Sequence, residues 1–206
     1  MLALCNLAQL NDSVRNRIIK EQGMSRVESF LMEEHVLLAR AAAQVICNMV
    51  LNEEYLKWHE GDNDRIKFLA LLCEEEDEET AIACSGALAM LTSMSAKCCE
   101  KVMDSAEWLE VLHTLIANPS PEVQFRGVVI IHNMIKQSKI VAEKIFETDV
   151  LELMMGLTQL NDEKRGKAID EARACLKTAE ELKIIQEKKD DAKDMMPDVF
   201  QKTLEA

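Results

Sequence analysis

An all-α, right-handed solenoid of stacked helical repeats is the architecture this sequence predicts, and three observations predict it. First, residues 3–8 (ALCNLA), 43–50 (AQVICNMV), 86–92 (GALAMLT) and 127–135 (GVVIIHNMI) share one skeleton of small and apolar residues. Aligned on that skeleton, Asn6, Asn48, Ala89 and Asn133 occupy one position, at steps of 42, 41 and 44 residues. Second, the long helices that carry these segments are apolar almost all round, and such a helix needs neighbours on both sides. Third, 48% of the 206 residues are hydrophobic, with only three prolines and six glycines, a composition suited to helices. A period near 42 belongs to armadillo or HEAT repeats. About four armadillo repeats fit, preceded by a partial N-terminal helix and followed by a charged tail. The expected layout is one repeat domain over residues 1–178 and a charged helical or disordered tail over 179–206.

Each period reads as a short helix, a second helix after a breaker, and a long third helix. The chain opens inside a third helix without the two that precede one elsewhere. Repeat stacks end on polar capping faces, which Leu2, Leu4 and Leu7 do not supply, so Met1 is expected to be an artificial, alternative or mid-protein start. Helices over 11–21, 24–33 and 36–51 follow, broken at Gly23. The second period runs through 53–60, breaks at Gly61-Asp62-Asn63, and continues over 64–73 and 79–92. Within it Ile66, Leu69 and Leu72 mark an apolar stripe that Phe68 and Leu71 widen. The third period has 96–103, 106–117 and 122–136, with Pro119 and Pro121 as a hinge; Pro121 suits a first helical turn. There, Trp108, Leu112 and Leu115 form the stripe. The fourth has 140–146, 150–160 and 162–178. Asp64, Ser105 and either Thr148 or Asp149 are the expected N-caps.

Charge and composition exclude several classes. A net charge of −13 and 4% aromatics leave neither the basic footprint nor the stacking surface of a nucleic-acid binder. No apolar run approaches the length of a membrane span, and residues 1–10 lack the basic start and cleavage site of a signal peptide. Seven cysteines, an odd number without framework spacing, imply a reducing compartment, and the cytoplasm is the expected location.

The asparagines carry the main functional expectation. Asn is a mediocre helix former because its side chain competes for backbone hydrogen bonds. Repeated in apolar helices, it has two readings: an amide ladder that grips an extended peptide, or a set of ties from each helix to its neighbours. Ala89 and Leu176 interrupt the ladder. Arg40 and Arg126 each precede a ladder Asn by about two turns, and read either as groove cations or as ion-pair partners within repeats. The run Glu74-Glu75-Glu76-Asp77-Glu78-Glu79 reads as a solvated loop that also favours the next helix start, or as a dock for a basic partner loop. Four histidines and the cysteines show no Cys-x-x-Cys, His-x-x-x-His or His-Glu-x-x-His spacing, and residues 164–167 (KRGK) are not a phosphate loop. No catalytic residue, metal or cofactor is expected.

Residues 61–73 (GDNDRIKFLALLC), 86–92 (GALAMLT), 107–112 (EWLEVL) and 123–133 (VQFRGVVIIHN) together resemble the C-terminal part of a UCS domain. This is the armadillo-repeat domain of the myosin-directed chaperones of the animal uncoordinated type, and the likeness covers most of residues 1–178. The resemblance implies a non-enzymatic co-chaperone that binds the myosin heavy chain motor domain and assists its folding and assembly in the cytoplasm, at sarcomeres in muscle. It also implies contact with Hsp90 through a tetratricopeptide domain that these residues do not contain. The implied client groove maps onto Asn6, Gln44, Asn48, Ser85, Ala89, Val129 and Asn133. Armadillo proteins that bind nuclear-import or adhesion peptides often carry Trp one turn before the Asn. Here Leu2, Gln44, Ser85 and Val129 stand in those places, which counts against import cargo. The other reading is a general armadillo scaffold with a partner unrelated to myosin.

Overall fold

The computed structural model describes residues 1–182, and among them every regular element is helical. They form two compact units that divide after Val102.

The first unit begins with α1 (Leu2–Leu10), α2 (Asp12–Lys20) and α3 (Gly23–Ser29), the last continued by a 3-10 turn over Phe30–Met32. Then come α4 (Val36–Met49), α5 (Glu53–Glu60) and α6 (Arg65–Leu71), which ends in a 3-10 turn over Leu72–Glu74. α7 (Glu78–Met94) and α8 (Ala96–Met103) complete it. The expected triplets are present, with α1, α4 and α7 as third helices. α4 lies between α1 and α7 and also packs on α3. α7 is buried on nearly every side, from Thr80 through Leu91, as its all-round apolar sequence requires.

In the second unit α9 (Trp108–Ile116) leads into α10 (Pro121–Gln137), then α11 (Lys139–Phe146) and α12 (Val150–Gln159). A 3-10 turn over Glu163–Arg165 opens α13 (Gly166–Glu181). The third helices α10 and α13 pack together, and α9 and α12 back them. Gly127 lets α9 come close to α10, because a Cβ there would lie 2.6 Å from Leu115 Cβ. Such a distance is far inside the 3.5–4.0 Å at which two carbons attract. Pro121 occupies the first turn of α10, as expected.

Several local expectations need correction. Asp64 makes no side-chain cap; Asn63 Oδ1, one residue earlier, accepts from the Arg65 amide at 3.1 Å. Ser105 and Thr148 organise turns ahead of α9 and α12, while neither Glu107 nor Asp149 caps with its side chain. The side-chain caps are Asn11, Asn52, Asp77, Ser95, Ser120, Ser138 and Asp162. Four of these recur at the same junction: Asn11, Asn52, Ser95 and Ser138, at steps of 41, 43 and 43, each stand between a third helix and the next first helix. The acidic run is only partly a loop. Asp77 caps α7, and Glu78 and Glu79 form its first turn, where carboxylates meet the positive end of the helix dipole.

Two arginines are buried, which is uncommon for this residue type. Arg15 Nη1 donates to the Ala8 carbonyl at 2.9 Å, fastening α2 to the end of α1. Arg165 donates to the Asn118 and Pro119 carbonyls and to Gln124 Oε1, holding the proline hinge to the start of α13. Each burial is tolerated because the guanidinium finds oxygen partners and a nearby aspartate. At the C-terminal side α13 continues past residue 178, with Ala179 buried. The remainder of the expected tail, residues 183–206, lies outside the described residues. No single helix among the described residues is long and apolar enough to cross a membrane.

Candidate interaction surface on the third helices

On α4, Arg40, Gln44 and Asn48 follow one another at spacings of four, which sets them on one face. The other side of the helix buries Ala42, Val45, Ile46 and Met49. Gln44 is exposed, and Arg40 and Asn48 are half-buried. Asn48 Nδ2 donates to the Cys5 carbonyl of the neighbouring α1 at 3.1 Å and approaches Cys5 Sγ at 3.6 Å. Its Oδ1 takes no bond within the described residues, so the amide is anchored by its donors while its acceptor stays open. Asn6, on α1, is exposed with its side chain unengaged among the described residues. Asn6, Gln44 and Asn48 thus belong to two adjacent helices of the first unit.

The α7 positions differ. Ser85 is fully buried and its hydroxyl donates to the Ile82 carbonyl at 3.1 Å, so it packs inside the helix stack and presents nothing to solvent. Ala89 is half-buried. In the second unit Val129 and Asn133 are half-buried on α10.

Both arginines are paired. Arg40 donates to both carboxylate oxygens of Asp77, and this guanidinium is the main cause that holds the Asp77 carboxyl at about 2. Arg126 bonds Glu122 one turn earlier on its own helix, at 3.1 Å. Beside Asn133, His132 bridges the two third helices of the second unit. Its Nδ1 lies 2.6 Å from Glu171 Oε1 and its Nε2 lies 2.8 Å from Thr178 Oγ1, both on α13. The sequence pattern assigned this histidine no metal or catalytic role and named no partner for it. The signal was available as a carboxylate 39 residues downstream, close to one repeat period.

The cysteines are core elements. Cys73, Cys84, Cys98, Cys99 and Cys175 are buried, and burial pushes Cys84, Cys99 and Cys175 up to about 12. At neutral pH those thiols stay protonated and are poor nucleophiles. No group of three metal-ligating side chains converges among the described residues. The chemistry this face offers is that of amides, which both donate and accept, next to apolar side chains.

No protein-family model matches the chain. It is similar to protein unc-45 homolog B of Danio rerio, 40% identical over 179 residues, covering 85% of this chain and 19% of that protein. Among solved structures, UNC-45 from Drosophila melanogaster superposes with a TM-score of 0.86 at 61% identity, covering 89% of this chain and 23% of the other. The myosin chaperone UNC-45 from C. elegans, solved in complex with a Hsp90 peptide, gives 0.71 at 28% identity over 82% of this chain and 19% of its own. Computationally designed armadillo repeat proteins superpose at 0.73 with 19% identity, covering 99% of this chain and 90% of theirs, which shows the fold alone. The chain spans about one fifth of the length of the curated relatives it matches.

Proposed function

We propose that this chain, homologous over 85% of its length to a UCS-domain segment of the unc-45 proteins, is a non-catalytic, myosin-binding chaperone module. The observation that carries this is the 61% identity to UNC-45 from Drosophila melanogaster, kept through 89% of the chain. The client is the motor domain of a myosin heavy chain, met in the cytoplasm and, in muscle, at the sarcomere. Contact with Hsp90 falls to a tetratricopeptide domain outside these residues.

In this reading the client meets the third-helix faces. Asn6, Gln44 and Asn48 supply the hydrogen-bonding side chains in the first unit, and Asn133 supplies one in the second. An extended or partly folded segment exposes backbone N–H and C=O groups, and an amide side chain answers either. Arg40 and Arg126 stand on the same faces, each held in an ion pair, with Asp77 and Glu122 respectively. Ser85 takes no part, because it is buried.

The test is binding of a purified muscle myosin motor fragment, together with its protection from heat aggregation. The Asn6→Ala/Asn133→Ala protein is expected to bind at least tenfold more weakly than wild type, with unchanged helicity. Full binding by that variant defeats the amide mechanism. Absence of motor binding by the wild-type chain, with another single partner recovered instead, defeats the myosin reading and supports a general scaffold.

A further inference from the structure

The first unit carries a second surface, away from the third-helix face. Between the 3-10 turn that ends α3 and the start of α6, a pocket of about 450 Å³ opens, within the size range of small-molecule and side-chain sites. Ile46, Leu69 and the ring of Tyr55, all buried, supply its apolar floor. Its lips are apolar and wet. Met32 is 60% exposed and Phe68 is 47% exposed, and both line the opening.

One end of the pocket is a polar wall whose groups satisfy one another. Glu28 Oε1 accepts from Tyr55 Oη and from Arg65 Nε, each at 2.9 Å, and Glu28 Oε2 accepts from Arg65 Nη2 at 3.2 Å. The Arg65 guanidinium also lies 5.5 Å from the Trp58 ring centroid. Charge is balanced within this wall, and its geometry is set before any partner arrives. An apolar cavity with a few fixed polar groups is the pattern of a binding site, because the apolar part supplies affinity and the polar part orientation.

Charge then selects the occupant. Asp64 lines the same pocket, is exposed, and caps nothing with its side chain. Its carboxylate makes no hydrogen bond or ion pair among the described residues. Beyond the Met32 lip the chain continues through Glu33 and Glu34, both exposed. The whole chain carries −13. An acidic segment would meet repulsion at this mouth, and a basic one attraction.

We infer that this pocket docks a partner protein's basic segment, with a large apolar side chain seated between Met32 and Phe68 and a neighbouring Lys or Arg on Asp64. The site is separate from the proposed myosin-facing surface, since Ile46, its one residue from a third helix, is buried. Its ligand is defined by chemistry: an apolar anchor flanked by cations.

Trp58 provides the readout, in a Trp108→Phe background that leaves one tryptophan. The probe is the capped hexapeptide acetyl-Lys-Lys-Leu-Phe-Lys-Lys-amide. Its controls replace every Lys by Glu, or Leu-Phe by Gly-Ser. A saturable change in Trp58 emission is expected with the basic apolar peptide, and at least tenfold weaker binding with either control. Phe68→Ala and Asp64→Asn, both at exposed positions, are each expected to weaken the first peptide about tenfold with unchanged circular dichroism. Asn6→Ala should leave it untouched. The proposal is overturned if no saturable change occurs, if the acidic peptide binds as tightly as the basic one, or if both pocket variants bind like wild type. Any of those results leaves the myosin reading intact, because that reading is judged by Asn6 and Asn133 on a motor fragment.

Discussion

Arg40 and Asp77 join two consecutive third helices through a single carboxylate. Arg40 Nε and Nη2, on α4, donate to Asp77 Oδ2 and Oδ1 at 3.2 and 2.5 Å. The same Asp77 Oδ2 accepts from the Thr80 amide at 3.0 Å and from the Thr80 hydroxyl at 2.7 Å, capping α7. Ion pair and helix cap therefore depend on the same ionised group.

Acid should reveal that dependence. The Asp77 carboxyl is lowered from 3.8 to about 2, first by its hydrogen bonds to Arg40. A folded-state value below the unfolded one means the stabilisation is complete above the unfolded value and is lost as pH falls through the folded one. Its window is thus from about 4 down to about 2. Asp77→Asn keeps a capping oxygen and loses this acid-dependent part, so its melting temperature should fall less than that of wild type between pH 5 and pH 2. Asp77→Ala also loses the cap, a further cost of about 1 kcal/mol at neutral pH. Thermal melts followed by circular dichroism across that range check both.

Two glycines should respond in opposite directions. A Cβ on Gly127 would meet Leu115 Cβ at 2.6 Å and Leu115 backbone atoms at 3.0 and 3.1 Å, so α9 and α10 would have to separate. Gly127→Ala is expected to cost about 1–3 kcal/mol by overpacking. Gly166 has helical dihedrals and open space around it. Gly166→Ala is expected to stabilise by about 0.4–1 kcal/mol, by restricting the unfolded chain. Urea titration of both variants tests the pair, and a destabilised Gly166→Ala would contradict the geometry.

These contrasts mark what the amino-acid sequence could disclose. Periodicity located every third helix, because a helix buried on several sides must be apolar on several sides. The bounds of α5 and α8 also match those expected, and Gly61 was the visible break after α5. Contacts across a repeat were not legible. Nothing local to Asn48 announces the Cys5 carbonyl, 43 residues earlier, and nothing local to Ser85 tells a groove position from a core one. The burial of Arg15 and Arg165 is not legible locally: each has an aspartate three residues earlier, as an exposed helical pair also would, and the carbonyls that complete its shell belong to other elements. The cap of α6 was misplaced by one residue, because Asn63 and Asp64 are both capping types and only the fold shows that the Asn63 oxygen meets the Arg65 amide.

Thiol chemistry offers a check on the core. Five of the seven cysteines are buried, and only Cys5 and Cys47 are partly accessible. Native protein at pH 8 is expected to react rapidly with a thiol reagent at no more than those two sites, the rest reacting only on unfolding. Rapid labelling of Cys84, Cys99 or Cys175, mapped by peptide mass, would contradict the packing.

His59 should make the first unit sensitive to mild acid. It is buried, and its Nδ1–H donates to the Tyr55 carbonyl at 2.9 Å. Burial, mainly, pushes its pKa below the usual 6.5, aided by Arg65 and Lys101 and opposed by the Tyr55 carbonyl and Glu28. The unfolded chain therefore takes up the proton first, and stability falls as pH drops below 6.5. His59→Gln removes that component, so its stability should change less between pH 7 and pH 5.5. An unchanged slope in urea titrations at the two pH values would show that His59 protonates freely in the fold.

The junction residues Asn11, Asn52, Ser95 and Ser138 define where this chain can be divided for engineering. Each travels with the helix it starts, so a block cut just before one of them carries its own initiation signal. Residues 11–51 and 52–94, both within the first unit, are accordingly natural cassettes for duplication, deletion or exchange. A cut made elsewhere would leave one block without its starter and the next with a surplus one.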